Sequence, residues 1–167
     1  MANNELEKKI VEWAKRFVKK FDDYDLIEII EKKNLSKYNS EALKKIPEYS
    51  NWDFIPDFAI NLKKKKVDKN EKEFEIILIN RENKSLGLRS IGEIMSYNKI
   101  SDPMFSFLIS EKGHSNEISY FMINEELRDK LIKYNDNSLI LFSFEEDTSK
   151  VKDNSVIPSD LKDLLSE

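Results

Sequence analysis

Apolar residues near the amino terminus recur at helical spacing. Leu6, Ile10, Trp13, Ala14, Phe17 and Phe21 alternate with Lys and Glu, which predicts an amphipathic helix over Asn4–Phe21. Asp22-Asp23 ends it. Tyr24–Ile30 fits either a strand or a short helix, and the alternation of Leu26, Glu28 and Ile30 favours the strand. Ser40–Ile46 predicts a short helix with Ser40 as N-cap, stopped before Pro47. Phe54–Leu62 puts Phe54, Phe58, Ile60 and Leu62 on even positions, and Phe74–Asn80 is densely apolar. The Lys/Asp/Asn-rich stretch between these runs makes them an antiparallel hairpin with its tip near Val67–Lys69. A helix is predicted over Ser85–Tyr97, with Leu88, Ile91, Ile94 and Met95 as its apolar stripe. Met104–Ser110 reads as a buried strand, Ile118–Ile123 as a short strand, Glu125–Tyr134 as a helix and Leu139–Phe144 as the last strand. The order predicts an α/β fold whose mixed β-sheet is flanked by helices on both faces. Residues 1–145 form this unit, followed by an acidic, partly ordered tail over 146–167 that ends in a short helix.

Composition narrows the chemistry. With 167 residues, one domain with a substantial core is expected. The chain has no Cys and one His, His114. A disulfide framework, a thiolate zinc site, a Cys nucleophile and a multi-His metal site within one chain are thereby excluded. No apolar run approaches the length of a spanning helix and Met1–Lys9 lacks a signal-peptide pattern, so a soluble, cytoplasmic protein with no membrane role is expected. Any chemistry then falls to carboxylates, Lys, Arg, Ser, Thr or Tyr.

Net charge is −4, which disfavours nucleic-acid binding by bulk charge alone. Its distribution is uneven. Ile60–Ile100 holds ten Lys/Arg against six Asp/Glu, whereas the remainder is acidic. The run Lys63-Lys64-Lys65-Lys66 suits either a solvated hairpin tip or a phosphate-contacting one. The predominance of Lys over Arg, with abundant Asn and Ile, is what an AT-rich genome would dictate.

Pro56-Asp57 opens one strand of the hairpin, an apolar strand follows, and the next helix contains Gly92-Glu93-Ile94-Met95-Ser96-Tyr97. This ordered set, from Asn4 to Ser110, resembles the PD-(D/E)XK, or restriction-endonuclease-like, nuclease superfamily. The resemblance implies a restriction-endonuclease-like core in which the Asp of Pro-Asp and an acid-x-Lys on the next strand meet at one metal site. Phosphodiester hydrolysis needs such groups: carboxylates hold Mg²⁺ or Mn²⁺, which activates water, and a Lys stabilises developing charge. Counted back from the hairpin tip, Asp57 lies opposite Leu78–Asn80, so the acid position is Leu78 and the lysine position Asn80. Neither can replace what the family uses there. Glu73 and Glu75 have the opposite strand parity and point away from the site.

Two outcomes follow from the resemblance. One is a catalytically degenerate subunit without a cofactor, which binds nucleic acid, DNA rather than RNA, as a homodimer or with a catalytic partner subunit. The other is an active metal-dependent nuclease with a relocated site, Asp57 and Glu93 holding Mg²⁺ or Mn²⁺ and Lys84 or Arg89 replacing the lost lysine. Lys63, Lys64, Lys65, Lys66, Arg81 and Arg89 are then the candidate nucleic-acid contacts. A protein-interaction module without any nucleic-acid role is the alternative from another class. Glu7 and Glu12 on the first helix suit a solvated face, or an acid approaching the site. Trp13 and Tyr97 read as core, Trp52 as core or an exposed contact, and His114 as an exposed turn residue.

Overall fold

The computed structural model describes residues 2–31, 41–44, 46, 56–69 and 71–166. The expected Ser40 cap, Trp52 and the first residues of the Phe54–Leu62 run lie outside these. In chain order the elements are α1 (Ala2–Val18), β1 (Tyr24–Glu31), α2 (Glu41–Lys44), β2 (Phe58–Lys64), β3 (Phe74–Glu82), α3 (Leu88–Ser101), β4 (Phe105–Ser110), α4 (Asn116–Ile123), α5 (Glu125–Ile132), β5 (Lys133–Tyr134), β6 (Asn137–Phe142) and α6 (Lys162–Leu165). Six strands form one mixed sheet in the order β1-β2-β3-β4-β6-β5. The first three strands make an antiparallel meander, β4 and β6 run parallel to β3, and β5 pairs antiparallel with β6.

Strand alternation divides the core. Phe58, Ile60 and Leu62 of β2, Ile77 and Ile79 of β3, Phe107 and Ile109 of β4, and Ile140 and Phe142 of β6 face the apolar stripe of α1. Trp13 is the hub, with its ring centroid 5.0 Å from that of Phe17, 5.0 Å from that of Phe107 and 4.9 Å from that of Phe142. The last segment closes this layer: Val151 bridges Phe144, Ile157 bridges Leu141, and Val156 and Leu165 are buried in the same cluster.

The opposite face carries two apolar clusters. Ile91, Ile94 and Met95 of α3 pack with Ile118, Ile132 and Tyr134 over Leu108, Leu139 and Leu141. Leu43 and Ile46 pack with Ile30, Ala59, Ile76 and Leu78. Helices therefore cover both faces. Between the clusters the β3–β4 ladder is polar, since Leu78 pairs with buried Ser106 and Leu108 pairs with buried Asn80. The buried stripe of α3 ends in Asn98. Asn80 Oδ1, Ser106 Oγ and both polar atoms of the Asn98 side chain are buried without hydrogen-bond partners among the described residues.

One predicted element changes type. Ile118–Ile123 is helical, because Ser115 caps its start by accepting from the Ile118 N–H at 3.3 Å. Ile118 and Met122, four residues apart, turn inward, while Tyr120 and Ile123 turn out. Asn124 then caps α5 by accepting from the Leu127 N–H at 3.1 Å, so two short helices stand where a strand and a helix were expected. The helix predicted from Ser85 begins at Leu88 with Gly87 as its N-cap.

Candidate functional site

The hairpin register fixes the site. Phe58 pairs with Ile79 and the ladder runs unbroken to Lys63 and Phe74, which sets Asp57 beside Asn80 at the carboxyl end of β3. The Arg81 N–H donates to Asp57 Oδ2 at 2.9 Å. The Arg81 guanidinium lies 3.7 Å from Asp57 Oδ1 through Nε and 2.8 Å from Glu7 Oε1 through Nη2. Asp57 and Arg81 retain 20% and 17% of their side-chain exposure and Glu7 40%, so the Asp57–Arg81 half of this linkage is mostly shielded from water, and one cation is held between two carboxylates. Glu7 arrives there because α1 lies across the sheet face to which Ile77, Ile79 and Arg81 point. Arg81, expected as a nucleic-acid contact, is engaged in this clamp.

Leu78 and Asn80, where the resemblance expects an acid and a lysine, are built into the interior. Leu78 is buried with Ile30, Leu43, Ile46, Ala59 and Ile76. Asn80 is 3% exposed and its Oδ1 accepts nothing among the described residues. Glu73 and Glu75 sit at the other end of β3. Glu73 pairs with Lys63 at 3.4 Å, and burial pushes the Glu75 carboxyl above its ordinary pKa.

Glu93, on exposed helix surface, takes the Arg89 Nε at 2.9 Å one turn earlier. That bond is the leading cause of a raised Arg89 pKa. Lys84 is exposed, and its carbonyl accepts from Ser110 Oγ at 2.8 Å. Among the described residues no group of three or more His, Asp or Glu stands close enough to hold a metal ion.

Lys63 lies near the opposite end of β2, about 20 Å from Asp57 by strand rise, and Lys64, Lys65 and Lys66 follow it away from Asp57. Lys64 is paired with Glu71, and Lys65 with Asp25 at 3.7 Å. With Lys63 on Glu73, three of the four run into carboxylates on neighbouring strands and the hairpin loop. Lys66 makes no ion pair among the described residues. Glu12, unlike Glu7, faces the carboxyl-terminal segment, where Ser149 Oγ lies 3.4 Å from its Oε2.

His114 is not the exposed turn residue expected. It follows Gly113, whose φ of +68° lies in the left-handed region that Gly adopts without strain, and it pairs with Leu86 in a short parallel bridge. The ring is half-buried, and burial lowers its pKa. No sequence signal marks this, because the walls around the ring come from segments some thirty and forty residues away.

The fold defines an α/β protein with a six-stranded mixed sheet. Set against protein-family models, curated proteins and solved structures, the chain matches none of them. No helix among the described residues is long and apolar enough to cross a membrane.

Proposed function

We propose that this protein is a catalytically degenerate member of the restriction-endonuclease-like nucleases, binding nucleic acid without cutting it. The carrying observation is the Glu7–Arg81–Asp57 linkage. Asp57 stands at the strand start where the resemblance places a metal ligand, and its charge is compensated by a guanidinium and a backbone N–H. The neighbouring positions are a core Leu78 and an uncharged Asn80, and Glu82, the carboxylate at the end of β3, accepts from Ser90 Oγ at 2.6 Å. The element order supports the family assignment: a helix, an antiparallel three-strand meander whose second strand follows Pro56-Asp57, a helix carrying Glu93 and Tyr97, and a buried parallel strand.

The proposal includes a partner chain. Tyr120 and Ile123 favour that arrangement, since they remain 74% and 84% exposed on α4. A second copy or a catalytic partner subunit covering them fits this role.

The test is fluorescence anisotropy with labelled double- and single-stranded DNA and RNA across a salt series. A cleavage assay with Mg²⁺ or Mn²⁺ runs alongside, with Asp57→Ala as control. Salt-dependent binding of DNA without cleavage is the expected result. Metal-dependent cutting that vanishes in Asp57→Ala overturns the proposal in favour of a relocated site. Neither binding nor cutting leaves a protein-interaction module.

A further inference from the structure

The two edges of the sheet are finished differently. At one, β5 is two residues long, and the carboxyl-terminal segment lies along β6. Ile157 and Leu141 exchange both backbone hydrogen bonds there, at 2.8 and 2.9 Å. At the other edge β1 is eight residues long and pairs only with β2. Among the described residues no strand and no backbone hydrogen bond lies on its outer side between Asp25 and Glu31. A strand in that position presents a row of N–H and C=O groups that another extended chain can take up.

The side chains at this edge are as open as its backbone. Leu26 and Ile27 are 39% and 51% exposed. Leu26 pairs with Leu62, which is fully buried in the cluster under α1, so the apolar face of the sheet runs out uncovered at Leu26. Ile27 is the extra residue of a bulge, since Leu26 faces Leu62 and Glu28 faces Asn61.

Charge selects the occupant. Residues 22–31 hold Asp22, Asp23, Asp25, Glu28 and Glu31 and no Lys, Arg or His. Lys65 lies 3.7 Å from Asp25, and Asn61, which carries no charge, donates to Glu28 at 2.5 Å. A second copy on this edge would set two such acidic rows together, which disfavours self-pairing. The faces are also sorted. Asp25 and Glu28 pair with Lys63 and Asn61, whereas Leu26 and Ile29 pair with Leu62 and Ile60. Carboxylates therefore stand on one face of the edge and apolar side chains on the α1 face. An extended chain that alternates Lys or Arg with apolar residues matches both faces at once.

We propose that β1 is the docking edge for an extended basic segment of another protein, added to the sheet as a further strand. Its apolar side chains cover Leu26 and Ile29, and its cations lie beside Asp25 and Glu28. The test uses neither nucleic acid nor metal, so it succeeds or fails apart from the nucleic-acid reading.

The probe is a synthetic peptide as long as β1 that alternates Lys and Val, and a control peptide carries Glu in place of Lys. Amide hydrogen exchange followed by ¹H–¹⁵N NMR reads β1 residue by residue. In the free protein the outward amides of β1 should exchange fast and those bonded to β2 slowly. The Lys–Val peptide at about ten times its Kd should slow the outward amides about tenfold; the Glu–Val peptide should not. Ile27→Lys should abolish that protection, and Asp23→Asn/Asp25→Asn should weaken binding about threefold. Both variants should keep the parent's Tm, because these three side chains are exposed. Outward amides already slow in the free protein overturn the proposal, since this chain then covers its own edge. Protection that grows with protein concentration alone makes a second copy the occupant and overturns it too. Equal protection by the two peptides, or none at β1, does the same.

Discussion

Arg81 holds Asp57 with two groups at once: its backbone N–H at 2.9 Å from Oδ2 and its guanidinium Nε at 3.7 Å from Oδ1. The same guanidinium reaches across to Glu7 on α1, so a single side chain ties the first helix to the hairpin. Arg81→Ala leaves Asp57 and Glu7 without their shared cation, the first mostly shielded from water and the second 40% exposed. Such a loss costs about 1–3 kcal/mol, read as a lower urea midpoint at unchanged m-value. Asp57→Asn/Arg81→Ala should recover part of that loss, because it removes one of the stranded charges.

Placing an acid and a lysine at positions 78 and 80, as the resemblance would have them, should not create a nuclease. Leu78 is buried in an aliphatic cluster with Ile30, Leu43, Ile46, Ala59 and Ile76, beside buried Ser106, and Asn80 neighbours buried Leu108. A carboxylate at 78 is forced into an apolar cluster. Leu78→Glu/Asn80→Lys is expected to lose about 3 kcal/mol or more, and to show no Mg²⁺-dependent cutting of double-stranded DNA. A stable, cutting double variant would mean that the end of β3 opens to solvent and metal far more readily than this packing allows.

On the proposed nucleic-acid-binding reading, the hairpin lysines should contribute unequally. Lys63, Lys64 and Lys65 face Glu73, Glu71 and Asp25, so a phosphate must displace a carboxylate already in place. Lys66 carries no such cost. Lys66→Ala should flatten the log–log salt dependence of DNA affinity by about one unit of slope, whereas Lys63→Ala changes it less. Glu71→Gln frees Lys64 and should tighten binding at low salt. Anisotropy titrations of the three variants at several salt concentrations decide this.

Periodicity made the helix α1, the hairpin and its register legible. A stripe of six apolar residues has one helical solution, and counting back from a polar tip leaves little choice of which residue faces Asp57. Ile118–Ile123 misled because a six-residue apolar run satisfies either period. The deciding features were the Ser115 cap and the inward pair of Ile118 and Met122, and the second of these exists only after packing. The Arg81 clamp was illegible for a different reason. Glu7 and Arg81 are far apart in sequence, and only the way α1 crosses the sheet brings them together. Sequence showed Leu78 and Asn80 where the resemblance expects an acid and a lysine, but not that a guanidinium stands beside Asp57.

His114 should make the fold sensitive to mild acid. Its ring is half-buried, and burial is the larger influence, lowering the pKa; the bond to the Ser155 backbone acts the other way. The charged groups around it divide, Glu111, Glu145 and Glu146 favouring the imidazolium and Lys112 and Lys152 opposing it. In the unfolded chain the ring titrates near 6.5. Above that pH both states hold the neutral ring and no penalty arises. As pH falls below it the unfolded state takes up the proton first, so stability drops until the folded ring titrates as well. The other lowered groups act elsewhere: Asp102, held down first by the Asn135 side-chain hydrogen bond and then by Lys72, loses its contribution only below the usual carboxylate range. Between about pH 7.5 and about pH 5.5, urea denaturation of the parent should therefore lose stability relative to His114→Gln. Parallel pH profiles for the two proteins would place the ring in water, and with it the Ser155 bond would have to be abandoned.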